Sequence, residues 1–156
     1  MANLNNPRGL SPLVKNLGGG PAQTNLYKKL VGTATIIYQN DVVRPLASGD
    51  ITAGGTPGTD LWLGVALTYG AASTATEHLV VDDPDALFEA QDDGTSSGVL
   101  EADLRLNANF VFTAPLTLNA LLFLSSHQIA SSTKATTATL DAKLLRKLSD
   151  IAILGG

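Results

Sequence analysis

The sequence predicts an all-β domain of the sandwich or barrel type, and three observations support this fold class. Short runs rich in β-branched and aromatic residues recur along the chain, separated by clusters of Gly, Pro, Asn and Asp. No long segment between these runs has a clear helical period. Apolar residues make up 44% of the 156 residues, which is enough for a single core in a chain of this length.

The first predicted pair of strands precedes a long loop. Thr33–Tyr38 predicts a strand because β-branched and aromatic side chains favour a pleated backbone. Gln39–Asp41 predicts a turn, and Val42–Leu46 predicts the second strand. Pro45 cannot donate to a strand ladder, so it must lie on a sheet edge or at a strand end. The many Gly and Thr residues of Ser48–Asp60 predict a loop.

The middle of the chain contains the most apolar predicted strand. Leu61–Tyr69 is apolar on both faces and therefore predicts a central strand. Gly64 within it predicts a bulge or a close approach of another backbone. Glu77–Val81 and the alternating segment Ala86–Gln91 predict two further strands. The remaining predicted elements are a short helical turn at Val99–Leu106 and strands at Ala108–Thr113 and Ala120–Leu124.

The segment 137–150 is compatible with two structures. A helix would place four leucines on one face, and this period slightly favours a helix: Leu140, Leu144, Leu145 and Leu148. A strand would also place Ala138, Leu140, Ala142 and Leu144 on one face, and the threonines that precede them favour a strand. Both structures stay open on the sequence alone.

Residues 1–26 differ in composition from the rest of the chain. Helices and regular strand pairing are opposed here by Pro7, Pro12 and the triple glycine 18–20. Leucines nevertheless recur in this segment, and they could be buried against a partner. We therefore predict an extended N-terminal arm over residues 1–26 and a single β-rich domain over residues 27–156. A loop folded back over its own domain and a frayed terminus are the alternatives. The predicted partner-contact residues are Leu4, Pro7, Arg8, Leu10, Leu13 and Leu17.

Composition and charge exclude several classes of function. Charged residues make up 15% of the chain and the net charge is −4, which does not favour binding to nucleic acid. The chain has no cysteine, so disulfides, a thiolate zinc site and a thiol nucleophile are excluded. The longest nearly apolar stretch, Ala114–Leu124, is too short to span a bilayer. The N-terminus lacks the apolar run of a signal peptide, so we expect synthesis in a cytosol.

An acidic hairpin over residues 82–94 is the most conspicuous cluster of ionisable groups. Its two acidic ends, Asp82–Asp85 and Asp92–Gly94, are typical of turns in which Asp accepts a hydrogen bond from its own backbone. Calcium ligation is one alternative, although the spacing differs from that of an EF-hand loop. A general acid and base pair is the other.

Neither histidine lies in a motif of a hydrolase or a metal site. His78 falls in a strand pattern and His127 in a polar turn, so we expect both on the surface or in a hairpin. The glycine-rich segments fit turns and match neither phosphate-binding pattern. The sequence therefore nominates no catalytic residue, no metal ligand and no cofactor site, and we expect that the protein is not an enzyme.

One stretch of the acidic hairpin resembles a known family. Asp82-Asp83-Pro84-Asp85-Ala86-Leu87-Phe88-Glu89-Ala90-Gln91-Asp92-Asp93-Gly94 is similar to a D-x-P-x-x-x-F-x-x-Q-x-D-G stretch of capsid decoration (cement) proteins of tailed bacteriophages. Asn107-Ala108-Asn109 resembles an N-A-N segment that follows it in that family. The opening Asn6-Pro7-Arg8-Gly9-Leu10-Ser11-Pro12 also looks like the P-x-G-L-x-P openings of such proteins.

The resemblance implies a structural role in a virion. It implies a compact β-barrel or β-tulip with an extended N-terminal arm, at most short helical turns, and a strand over Thr137–Leu148. Copies made in the bacterial cytoplasm would bind the outer surface of the capsid as homo-oligomers, with trimers favoured over dimers. The arm would cross onto neighbouring subunits of the major capsid protein lattice and stabilise the shell. A phage tail, baseplate or head-fiber β-domain and a calcium-dependent carbohydrate-binding module are the alternative functions.

Overall fold

Short strands and turns dominate the computed structural model, which describes residues 7–13, 16–32, 34–94, 99–115, 117–136 and 141–144. Among the described residues, strands account for 31% and helices for 8%, so the predicted β-rich character of the domain is confirmed. One short helix, α1 (Thr117–Leu121), and two 3-10 turns, Glu101–Asp103 and Ser131–Thr133, are described. The described strands are β1 (Ser11–Pro12), β2 (Thr24–Lys29), β3 (Val42–Pro45), β4 (Ile51–Ala53), β5 (Gly64–Ala66), β6 (Thr76–Val81), β7 (Phe88–Glu89), β8 (Asn107–Ala108), β9 (Phe110–Val111), β10 (Gln128–Ile129) and β11 (Ala142–Lys143).

The largest sheet contains five antiparallel strands in the order β2-β6-β5-β3-β4. Its longest pairing joins β2 to β6, from Thr24 opposite Val81 to Lys29 opposite Thr76. The sheet is curled, as shown by its two edge strands, β2 and β4, whose Cα atoms come within 8 Å of each other. The residues that the structure describes nevertheless form no closed barrel.

Three two-stranded pairs attach the remaining segments. β1 pairs with β7, β9 with β10, and β8 with β11, all of them antiparallel. The last pairing gives the ambiguous C-terminal segment a strand conformation at Ala142 and Lys143, which lie opposite Ala108 and Asn107. Residues 137–140 and 145–150 of that segment lie outside the described residues.

The apolar side chains form two clusters on opposite faces of the central sheet. Val42 and Val65 belong to one cluster, whereas their chain neighbours Val43 and Ala66 belong to the other. This division follows from the pleat, which points successive side chains of a strand to opposite faces. The first cluster also contains Leu10, Ala108, Phe110 and Ile129, and the second contains Ile37, Ile51 and Val80.

Several predicted strands are confirmed. Val42–Leu46 and Glu77–Val81 match β3 and β6 to within one residue at each end, and Pro45 is the last residue of its strand. The strand predicted at Leu61–Tyr69 is limited to β5, but it is central as expected. Gly64 is a site of close backbone approach, because a Cβ there would overlap the carbonyl of Val81. The predicted helical turn is the 3-10 turn Glu101–Asp103.

Two predictions in apolar segments are wrong. Ile37 makes a single bridge to Gly70, and residues 34–36 form no strand, so a ladder over Thr33–Tyr38 does not exist in the described part. The strand predicted at Ala120–Leu124 is replaced by α1 and the turn that follows it. A short apolar run rich in Leu and Ala fits either structure, and these residues have high helix propensity.

Three other predicted segments differ in length or kind. The loop predicted at Ser48–Asp60 contains β4, whose three residues pair with β3. Only Phe88–Glu89 of the strand predicted at Ala86–Gln91 is paired. The strand predicted at Ala108–Thr113 is divided into β8 and β9. β7, β8 and β9 pair with segments distant in the chain, and these pairings, which set the limits of the three strands, cannot be read from local pattern.

Candidate functional site

The first described residues of the N-terminal segment are clamped to the domain by two asparagine side chains. Asn119 Nδ2 donates a hydrogen bond to the carbonyl of Pro7, and Asn40 Nδ2 donates to the carbonyl of Arg8 at 3.1 Å. Gly9 has a φ of +74°, and a Cβ at this position would overlap the Asn40 carbonyl oxygen. The clamp therefore requires the left-handed conformation that glycine adopts without strain.

The next residues anchor the segment in the core and along a strand edge. Leu10 is 4% exposed and packs in the first apolar cluster. β1 pairs with β7, and directly after β1 in the chain the Leu13 N–H donates to the Leu87 carbonyl at 2.8 Å. The Leu17 N–H donates to the Asp85 carbonyl at 2.9 Å. The side chains of Leu13 and Leu17 nevertheless remain exposed, at 43% and 62%. We call these two residues the leucine pair.

The first acidic turn fastens the part of the segment that leads into β2. The Asp85 N–H donates to Asp83 Oδ1 at 2.9 Å, which confirms the turn interpretation. The hydrogen bond from Asn16 is the main cause that lowers the pKa of the Asp83 carboxyl, so its charged form is favoured. The donors to Asp83 Oδ2 are Asn16 Nδ2 (2.9 Å) and the Gln23 N–H (3.1 Å), and those to Asp82 Oδ2 are Asn25 Nδ2 (2.9 Å) and the Tyr27 hydroxyl (2.5 Å).

The second acidic turn has the same structural role at the other end of the hairpin. The Gly94 N–H donates to Asp92 Oδ1 at 2.6 Å, again as a turn of Asp on its own backbone. Asp93 Oδ1 accepts hydrogen bonds from the Ser131 N–H at 3.0 Å and from the Ser131 hydroxyl at 2.8 Å. Within the described ranges, no group of three or more His, Cys, Asp or Glu residues could hold a metal ion.

The six predicted contact residues have different environments. Pro7 and Leu10 are buried against the domain and are not available to a partner in this structure. Arg8, Leu13 and Leu17 are exposed, whereas Leu4 lies outside the described residues. The described part of the predicted arm is thus folded back on its own domain, which was the alternative to a free arm. The boundary at residue 26 also falls inside β2.

His127 is buried beside Asp41, so the expectation of a surface histidine is wrong. Its Nδ1 accepts a hydrogen bond from the Val42 N–H at 3.1 Å. The ring proton therefore belongs on Nε2, which lies 3.3 Å from Asp41 Oδ1. Burial lowers the pKa of His127 to about 4, which favours the neutral ring.

Asp41 accepts hydrogen bonds from several groups in the same cluster. Its Oδ2 accepts one from the Tyr38 N–H at 2.8 Å. Burial raises the pKa of the Asp41 carboxyl to about 7, although hydrogen bonds from the Ser125 side chain and the Tyr38 backbone lower it. Nδ1 of His127 already accepts a backbone hydrogen bond, and Nε2 carries the ring proton. Neither nitrogen is therefore available to act as a base toward Ser125. Through these hydrogen bonds the cluster connects chain segments that are distant in the sequence.

His78 lies in β6, where the sequence predicts a strand, but its side chain is fully buried and not on the surface. Its Nδ1 donates to the carbonyl of Thr68 at 3.1 Å, and its Nε2 accepts from the Thr76 hydroxyl at 2.8 Å. Burial lowers the pKa of this imidazole, which favours its neutral form. Gly70 packs directly on the ring, because a Cβ there would overlap it. Both histidines thus have fixed tautomers and structural partners.

An open groove of about 440 Å³ lies next to the buried Asp41 and His127. Ala34, Ile36 and Phe112 form part of its apolar wall, so the groove combines an apolar surface with a polar corner. The hydrogen bonds of Asp41 and His127 are directed to protein groups that hold the surrounding loops together. The arrangement explains the local structure without a ligand.

A second exposed apolar surface lies at the end of α1. Leu121 is the last residue of α1, and Leu122 and Phe123 follow it in the turn; the three side chains are 72%, 55% and 51% exposed. The ring of Tyr69 stacks at a tilt on Phe123, with ring centroids 4.4 Å apart. We call these four residues the aromatic patch. Sequence reasoning missed the patch, although a signal existed: residues 106–133 contain no Asp, Glu, Lys or Arg.

No family model, curated protein or solved structure matches this chain. None of the helices in the described residues is long and apolar enough to cross a membrane.

Proposed function

We propose that this chain is a structural virion protein that binds the outer surface of an assembled phage capsid and stabilises the shell by bridging neighbouring subunits. One structural observation carries the proposal. The N-terminal segment is fastened to the domain along its described length, yet its leucine pair remains exposed. This surface supports a protein-binding role, and the family resemblance of the acidic hairpin supports the choice of a capsid as the partner.

The fastening has a thermodynamic consequence for binding. A free arm would lose backbone and side-chain entropy when it settles on a partner, which opposes association by about 1 to 2 kcal/mol for each residue whose backbone is fixed. In this chain the pairing of β1 with β7 and the hydrogen bonds to Leu87 and Asp85 are already made. The leucine pair can therefore be buried against a shell with a small further loss of entropy.

Shell stabilisation follows from linkage between binding and assembly. A protein that binds the assembled lattice and not the dissociated subunits shifts the equilibrium toward the lattice. Each contact can be modest when several copies or several subunits are joined, because the effective concentration of the later contacts is high. The protein then increases the stability of the shell without any chemical step.

The barrel or tulip architecture forms part of the same proposal. The curled five-stranded sheet supports it, since β2 and β4 come within 8 Å of each other between Cα atoms. We propose a partly open barrel in which these two edges stay unpaired with each other. Partner strands can add to open sheet edges through backbone hydrogen bonds.

Co-sedimentation with empty expanded capsids of the cognate phage, stripped of this protein, tests the proposal. We expect the double variant Leu13→Ser, Leu17→Ser to bind roughly tenfold more weakly or worse, because it removes two apolar contacts of about 1 kcal/mol each. The matched control is Leu61→Ser, which alters a side chain that is 84% exposed elsewhere. Equal binding by the double variant would remove the leucine pair from the mechanism, and no binding by the wild type would refute the function.

A further inference from the structure

We propose that the leucine pair docks on a basic surface of its partner, an apolar patch that is rimmed by Lys or Arg side chains. This partner chemistry rests on the proposed function and adds to it, since the same site is now given a partner of defined charge. Two observations carry it: exposed carboxylates border the leucine pair, and the ion pairs of the described residues do not neutralise them.

Two exposed carboxylates lie beside the leucine pair. The Leu17 N–H donates to the Asp85 carbonyl at 2.9 Å, so the residue that holds Leu17 in place also presents an exposed carboxylate. Glu89 belongs to β7, which pairs with β1 immediately before Leu13 in the chain. Phe88 packs against the first apolar cluster, so the next side chain along the strand, that of Glu89, points to solvent and is exposed.

A third carboxylate is bound to the chain between the two leucines. Asn16 Nδ2 donates to Asp83 Oδ2 at 2.9 Å, and the other donors to this carboxyl are the backbone N–H groups of Gln23 and Asp85. All three donors are neutral, so they hold the carboxylate without cancelling its charge. These bonds, that from Asn16 above all, lower the pKa of the Asp83 carboxyl and thereby favour its ionised form.

The border of the leucine pair therefore keeps a negative charge. None of the ion pairs formed within the described part of the chain includes Asp83, Asp85 or Glu89. Residues 45–104 contain no Lys or Arg. The only cation in the chain between the two leucines is Lys15, and three negative charges with this one positive charge leave −2.

Charge complementarity selects the partner from this border. When the leucine pair is buried, the carboxylates approach the partner surface and lose part of their hydration. An uncharged or acidic rim would leave that loss uncompensated, whereas Lys or Arg side chains compensate it and also increase the rate of association. The methylene groups of such side chains can lie along the leucines while their charged ends meet the carboxylates.

Co-sedimentation with the stripped, empty expanded capsids at about 0.05 and 0.5 M NaCl tests this chemistry. Wild-type binding should weaken roughly tenfold at the higher salt concentration, because ions screen exposed charges and do not weaken apolar contacts. Asp85→Lys should bind about tenfold more weakly than the wild type at low salt and approach it at high salt. The matched control Glu77→Lys makes the same change of charge at an exposed position opposite Lys28 and should bind like the wild type at low salt.

Two synthetic amphipathic peptides with the same leucine face provide a measurement that does not depend on the capsid. One peptide carries lysines at both borders of that face, and the other carries glutamates. In an NMR titration the lysine peptide should bind about tenfold more tightly and shift the methyl signals of Leu13 and Leu17. The double variant Leu13→Ser, Leu17→Ser should lose this preference.

Capsid binding that is insensitive both to salt and to Asp85→Lys would overturn the basic partner and leave the proposed function intact. Equal binding of the two peptides would overturn it as well, as would a lysine preference that persists in the double variant. Failure of the wild type to bind capsids at either salt concentration would refute the proposed function, and the peptide comparison alone would then decide the charge preference.

Discussion

The imidazole of His127 and the carboxyl of Asp41 form a buried pair whose pKa values are shifted in opposite directions. Burial lowers the pKa of His127 from 6.5 to about 4 and raises the pKa of Asp41 from 3.8 to about 7. The His127 contribution to stability is present above pH 6.5 and is lost as the pH falls toward 4. The Asp41 contribution is present below pH 3.8 and is lost as the pH rises through about 7.

These opposing slopes lead to a prediction for Asp41→Asn. The variant loses the Asp41 slope and keeps that of His127, so its free energy of unfolding should rise between pH 4 and 6.5 more steeply than in the wild type. The increase in the free energy of unfolding from pH 4 to 6.5 should be roughly 3 kcal/mol larger in the variant than in the wild type. Urea unfolding at pH 4 and at pH 6.5 measures this increase. Asp85→Asn is the control for an exposed carboxyl, and a wild-type slope in Asp41→Asn would contradict the prediction.

Asp141 connects the C-terminal segment to a distant loop and to β9, and its removal should destabilise the fold. Its Oδ1 accepts from the Trp62 Nε1–H at 2.7 Å and from the Gly58 N–H at 2.9 Å, and its Oδ2 accepts from the Phe110 N–H at 2.8 Å. We expect Asp141→Ala to lower the free energy of unfolding by about 2 to 4 kcal/mol, because three donors lose their acceptor.

Urea unfolding followed by the fluorescence of Trp62, which is the only tryptophan, measures this loss and reports on the indole environment. Asp85→Ala provides the control at an exposed turn position. A change below about 0.5 kcal/mol in Asp141→Ala would show that the three hydrogen bonds contribute little.

Leu10 lies in the segment predicted to be a free arm, but it should behave as a core residue. Leu10→Ala should lower the free energy of unfolding by about 2 to 5 kcal/mol, since it removes apolar volume from the first cluster. The control Leu17→Ala changes a leucine of the same segment that is 62% exposed and should cost less than about 0.5 kcal/mol. Equal stabilities of the two variants would indicate a free segment in solution.

The sequence alone was sufficient for features that depend on near neighbours in the chain. Val42–Leu46 and Glu77–Val81 were predicted because β-branched residues favour strands in most environments. The hydrogen bonds of Asp83 and Asp92 to the backbone two residues later were predicted because such turns close within a few residues. The β-rich class of the fold follows from many local preferences of this kind.

The tertiary structure decided the features that depend on residues far apart in the chain. Burial of His127 needs Asp41 and Val42 beside it, and the fold-back of residues 7–13 needs Asn40 and Asn119 as clamps. The apolar run Ala120–Leu124 fits a strand or a helix equally well by local pattern, and only its packing selects the helix and exposes the patch. Local preferences differ by less than about 1 kcal/mol per residue, so long-range burial and hydrogen bonding determine such positions.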